Sequence, residues 1–110
     1  MKPDGSVTTR VCVGRLDEIA DGDAREVIVG RHEVAVFRIG AQLYATDNLC
    51  THGSGRLCDG FLEGYEIECP LHQGAFDVRT GEPVRIPAEE PLRTYSVELE
   101  DGKAYIVVDE

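Results

Sequence analysis

The chain has 110 residues, 42% of them hydrophobic, and carries 11 Lys and Arg against 21 Asp and Glu, for a formal net charge of −10 at pH 7. That length suits one domain with its own core but leaves no room for a second, substrate-binding domain, and no run of about 18 apolar residues offers a membrane helix. A surface this acidic repels phosphate backbones and anionic lipid headgroups, so neither nucleic acid nor a membrane is expected as a partner, and a protein with a basic docking face is favoured.

In chain order, short extended segments dominate from Val7 onward. Period-two or continuous apolar runs predict strands over residues 7–13, 26–29, 33–39 and 43–46. Gly30-Arg31 and Gly40-Ala41-Gln42 serve as turns between the later ones, so the four are expected to form a meander. Residues 16–20 read as one helical turn or a loop, ended by the turn chemistry of Asp21-Gly22-Asp23. After Leu49 the pattern changes to glycine-rich loops around cysteine and histidine, with strand character returning at 65–68 and 75–78. Pro83, Pro87 and Pro91 exclude regular helix and central strand, so 82–91 is expected to be an irregular crossing segment. Residues 94–99 and 104–108 flank Asp101-Gly102, the chemistry of a tight hairpin. The expectation is an all-β, antiparallel single domain over 1–110 that carries an inserted metal-loop subdomain at roughly 46–85.

The first ten residues lack the apolar stretch of a secretory signal, which makes the cytoplasm the expected location. There thiols stay reduced, so the four cysteines are expected to be metal ligands or spare thiols rather than two disulfides. Two clusters stand out, Cys50-Thr51-His52-Gly53 and Cys69-Pro70-Leu71-His72-Gln73-Gly74, with sixteen residues between His52 and Cys69. Each places one cysteine and one histidine on a short loop, and a strand pair between them would bring four ligands together. Thiolates stabilise Fe(III) in a sulfide-bridged iron pair, whereas neutral imidazoles ease reduction of the iron they bind. A Cys2His2 zinc site uses the same ligand types, although zinc spacings usually group like with like and each loop here pairs unlike ligands.

The pattern Cys-x-His, sixteen residues, Cys-x-x-His resembles the Rieske [2Fe-2S] ligand signature. The longer stretches from Tyr44 to Gly53 and from Glu66 to Gly74 are similar to the ferredoxin component of bacterial aromatic-ring-hydroxylating dioxygenase systems of the naphthalene type. The resemblance implies a Rieske-type antiparallel β sandwich or barrel with a small cluster-binding subdomain. One [2Fe-2S] cluster would be held with Cys50 and Cys69 on the inner iron and His52 and His72 on the outer. High-potential respiratory members carry an extra cysteine on each loop, joined as a disulfide, and hydroxyls that hydrogen-bond to sulfur. The matching positions here hold Gly55, Leu71, Gly74 and Phe76. Without those donors the cluster is expected toward the lower end of the about −150 to +300 mV Rieske span.

The resemblance further implies an electron carrier, not itself an enzyme, that works as a monomer. A flavin-linked ferredoxin reductase would supply it and a terminal oxygenase would receive from it. An alternative is the Rieske component or small subunit of another oxidoreductase such as a nitrite reductase. The loop tips around His52 and His72, at Gly53, Ser54, Gln73 and Gly74, are expected to meet the partner, with Asp59 and Glu63 steering. Of the remaining residues, Cys12 between two valines reads as a small buried hydrophobe, Cys58 as a spare thiol and His32 as an exposed turn residue.

Overall fold

The computed structural model describes residues 8–51, 55–71, 74–86 and 88–109. Ten strands follow in order: β1 Thr8–Arg15, β2 Ala24–Val29, β3 His32–Ile39, β4 Gln42–Asp47, β5 Phe61–Glu63, β6 Glu66–Glu68, β7 Ala75–Asp77, β8 Pro83–Arg85, β9 Thr94–Glu100 and β10 Lys103–Asp109. All pairings are antiparallel. Six strands form one sheet in the order β1-β10-β9-β4-β3-β2, and the other four form a second sheet in the order β5-β6-β7-β8, which the chain inserts between β4 and β9. No helix among the described residues is long and apolar enough to cross a membrane.

Local chemistry accounts for the hairpins. Between β9 and β10, Asp101 and Gly102 both adopt left-handed φ values, 54° and 77°. That is the two-residue turn whose twist matches the flanking strands, and the second position needs a residue without Cβ. The β2-β3-β4 meander forms as its sequence predicts, with Val27 opposite Val34 and Val36 opposite Ala45.

β1 does not join that meander. It pairs with β10, from Thr8↔Asp109 to Arg15↔Lys103, and lies at the opposite edge of the sheet from β2. The 3-10 turn Leu16–Glu18 and the Asp21-Gly22 turn separate β1 from β2 and free it to find the chain's last strand. Pairing over such a sequence distance leaves no mark on local periodicity. Cys12 is exposed, contrary to the sequence expectation: Val11 and Val13 pack against the core, so strand alternation turns Cys12 outward, opposite Tyr105.

β3 is buried on both faces. Val34 and Val36 enter the core of the six-stranded sheet, while Ala35 and Phe37 enter a second core beneath the small sheet. All four are fully buried. Burial of side chains this size contributes about 1.5–3 kcal/mol for each of the larger ones, and it welds the insertion onto the barrel-like sheet through one strand.

Within the insertion, two short strands correct the sequence reading. β5 lies inside what reads as glycine-rich loop, because three residues between Gly60 and Gly64 are too few to show alternation. β8 falls inside the proline segment expected to be irregular; it forms at the sheet's edge, where the missing N–H of Pro83 costs no central ladder bond. Pro87 lies outside the described residues. His32 is also corrected: it opens β3, is half-buried, and stacks edge-on against Tyr95 at 5.8 Å. The Tyr95 hydroxyl donates to Asp47 and lies 3.4 Å from His32 Nδ1. Burial and the Asp47 carboxylate together push the Tyr95 phenol well above its ordinary pKa.

Candidate metal centre

Two loops close in the same way. The Cys50 N–H donates to the Gly55 carbonyl at 2.9 Å, and the Cys69 N–H donates to the Gly74 carbonyl at 2.9 Å. In each case a cysteine bonds the glycine five residues on, so two similar arches stand side by side. The first rises from the end of β4 and is pinched at its base by the Leu49↔Arg56 bridge and by the Leu57 N–H donating to the Asn48 carbonyl at 2.7 Å. The second rises between β6 and β7, whose pairing Glu68↔Ala75 forms its base.

Gly55 joins the arches. A Cβ on this residue would sit 2.6 Å from the Cys69 sulfur and 3.2 Å from Leu71 Cγ, so only glycine lets the first arch lie against the second. The residue that bonds Cys50 thus also touches the sulfur of Cys69. Both thiols are buried, at 3% and 2% exposure, in the apolar cluster that includes Leu57, Ile67, Phe76 and Val78. Water is kept from the two sulfurs, whereas Leu71 at the outer end of the second arch is 63% exposed.

This recess fits a sulfide-bridged iron pair: two soft thiolate donors come from separate arches and lie among the apolar side chains of Leu57, Ile67, Phe76 and Val78. Among the described residues no three His, Cys, Asp or Glu side chains gather as a metal site. His52 and His72 lie outside the described residues, as do the expected docking positions Gly53, Ser54 and Gln73. Gly74 is buried, while Asp59 and Glu63 are exposed, Glu63 at the turn end of the β5–β6 pair, opposite Glu66 and away from the arch. The Gly55 and Leu71 positions, where respiratory relatives carry a disulfide, are in contact here and hold no sulfur.

Beneath the first arch lies a polar network that motif reading passes over. Asn48 is fully buried. Its Oδ1 accepts from the Cys58 N–H at 2.9 Å and its Nδ2 donates to Glu26 at 2.7 Å. Arg56 donates to both oxygens of Glu26, at 3.2 and 3.1 Å. Sequence shows only an asparagine two places before a cysteine, with no sign that its amide is fully enclosed. Cys58 is partly buried and burial pushes its thiol pKa up, which suits a spare thiol.

Residues 9–96 match the family described as the Rieske [2Fe-2S] domain. The chain is 50% identical over 91 residues to the ferredoxin component of the naphthalene 1,2-dioxygenase system of Pseudomonas putida, covering 83% of this chain and 88% of the relative. Among solved structures it is similar to the ferredoxin of carbazole 1,9a-dioxygenase from Nocardioides aromaticivorans IC177, with a TM-score of 0.87 and 40% identity over 89% of this chain and 96% of that one. It is also similar, with a TM-score of 0.82 and 42% identity over 91% of this chain and 92% of that one, to a chain in the complex of reduced oxygenase and oxidized ferredoxin in carbazole 1,9a-dioxygenase.

Proposed function

The chain belongs to the Rieske [2Fe-2S] domain family, and from that premise we propose that Cys50, His52, Cys69 and His72 hold its one [2Fe-2S] cluster, with the thiolates on the inner iron and the imidazoles on the outer. The protein is a ferredoxin component of an aromatic-ring-hydroxylating dioxygenase system, like its relatives. The observation that carries the ligand reading is the contact of Gly55 with both cysteines, which sets two buried thiols on paired arches.

When bound, the cluster supplies a one-electron Fe(III)/Fe(II) couple. The chain's own residues do the rest. Phe76, Leu57 and Val78 exclude water around Cys50 and Cys69. As ligands, His52 and His72 would each bind iron through one ring nitrogen, leaving the second to serve as the edge for electron exit and to couple reduction to protonation. The carrier catalyses nothing itself: it takes one electron from a flavin-linked reductase and hands it to the terminal oxygenase. The ferredoxin–oxygenase complex known for a chain 42% identical supports that second partner. A cytoplasmic monomer forming a single unit over 1–110, with its cluster part at roughly 46–85, suits this role, with neither nucleic acid nor membrane as a partner. Exposed Leu71 on the second arch offers apolar contact, and the exposed acids Asp59 and Glu63 add negative charge to the surface, which suits a small, transient contact with a partner's basic docking face. A small subunit of a nitrite reductase is the second reading; the 50% identity to a dioxygenase ferredoxin favours the first.

Iron and acid-labile sulfide analysis, with EPR before and after dithionite, tests the site: two of each per chain and a signal only on reduction are expected, whereas stoichiometric zinc without iron or sulfide overturns it. Restored turnover of a naphthalene-type dioxygenase with its reductase tests the partners. Electron delivery should slow several-fold as salt rises from about 0.05 to 0.5 M, since screening shortens the reach of Asp59 and Glu63; a flat salt dependence removes the steering role.

A further inference from the structure

We propose that Asn48 is a positioning residue for the metal centre, one that holds the Cys50 arch in a single geometry against the six-stranded sheet; this rests on the reading of Cys50 as a ligand. Every polar group of Asn48 is engaged. Its N–H donates to the Glu33 carbonyl of β3 at 2.9 Å, and its carbonyl accepts from the Leu57 N–H at 2.7 Å. Its side-chain oxygen accepts from the Cys58 N–H at 2.9 Å, and its amide nitrogen donates to Glu26 of β2 at 2.7 Å.

Two of these bonds fasten the far limb of the arch, and two fasten the near limb to β2 and β3. The circuit is closed by Arg56, which comes from the far limb, bonds Glu26 and lies 3.8 Å from Glu33. One side chain, two residues before the ligand, therefore shuts the arch and anchors it.

The chemistry at 48 is specific. Oδ1 must accept from a backbone N–H while Nδ2 donates to a carboxylate, and only an amide offers both at one carbon. Aspartate would set a second carboxylate against Glu26, and alanine would leave the Cys58 N–H without its acceptor while Glu26 keeps only Arg56. Partners behind the ligands set ligand orientation and the electrostatics at the metal. Loosening this arch therefore reaches the cluster's spectrum and potential, not only the fold.

The test uses the full-length protein carrying its cluster, with Asn48→Ala, Glu26→Ala and, as a control in the other core, Val108→Ala. Positioning by Asn48 predicts for Asn48→Ala at least tenfold faster amide exchange over residues 56–59, broadened EPR features and a displaced midpoint potential. Glu26→Ala should shift the same readouts less, because the Cys58 bond survives. Val108→Ala should lower thermal stability and leave EPR and potential at wild-type values. Should Asn48→Ala not accumulate, Glu26→Ala carries the test. Wild-type EPR width and potential in the variant tested, even with a lower melting temperature, overturn the proposal and make Asn48 merely structural. Absence of iron and sulfide from the wild-type protein refutes the ligand reading instead, so the two failures are told apart.

Discussion

The two sheets are stabilised in different ways. The six-stranded sheet has long strands whose inward residues, such as Val29, Val34, Val36, Ile106 and Val108, make most of its core, joined by Ile19 from the β1–β2 connection. The four-stranded sheet has strands of three residues each, too short to support themselves. To its own Ile67 and Phe76 it adds Ala35 and Phe37 of β3, Leu57, Val78, Ala88 and Leu92 from outside the strands, and the side chains of Cys50 and Cys69. In the larger sheet, then, apolar patterning is the fold. In the smaller one the proposed ligands are themselves core residues, so holding metal and holding shape are the same task.

Removing a ligand is the strongest test of that contrast. Cys69→Ser should abolish cluster binding, seen as loss of visible absorption and of the reduced-state EPR signal. Amide protection along β9 and β10 should survive; their unfolding in the same variant would show that the two cores are not separable.

Two glycine substitutions come next. Gly55→Ala drives a methyl into the Cys69 sulfur and should strip most of the iron. Gly102→Ala strains the left-handed hairpin turn and displaces the exposed end of Arg15, whose Nη2 would lie 2.9 Å from the new Cβ, and should cost about 1 kcal/mol with full cluster occupancy. Equal loss of iron from both would erase the distinction.

Phe76→Ala and Ile106→Ala each remove a fully buried side chain, for about 3–5 and 2–5 kcal/mol respectively. Chelator challenge should release iron faster from Phe76→Ala than from Ile106→Ala at matched stability, and identical release rates would contradict separate cores.

The smallest effect concerns acid. Asp77 accepts two bonds from the Arg79 guanidinium, at 3.1 and 2.8 Å, which together with the Arg79 N–H hold its carboxyl below the usual carboxylate pKa. A lowered folded pKa adds stability above the ordinary value of about 4, and this is lost as pH falls through the folded pKa. Arg79→Leu should therefore move acid-induced bleaching to slightly higher pH, by less than about one unit; no shift would show that this pair contributes nothing to the small sheet.

Much of the molecule is legible in its residues. Asp101-Gly102, Gly30-Arg31, the apolar run of β3 and the alternation of β10 set the hairpins locally, because turn geometry and strand pattern depend only on near neighbours. The ligand candidates stand out by their spacing, and the family bears out the cluster that the resemblance to the Rieske signature implies. What only the tertiary structure decided is what depends on partners far along the chain. β1 pairs with β10, Cys12 therefore faces solvent, His32 meets Tyr95, and β8 finds an edge despite its proline. Asn48 belongs with these: its neighbours Glu26 and Cys58 lie on separate elements. Burial is a property of the assembled surfaces, which no local sequence pattern contains.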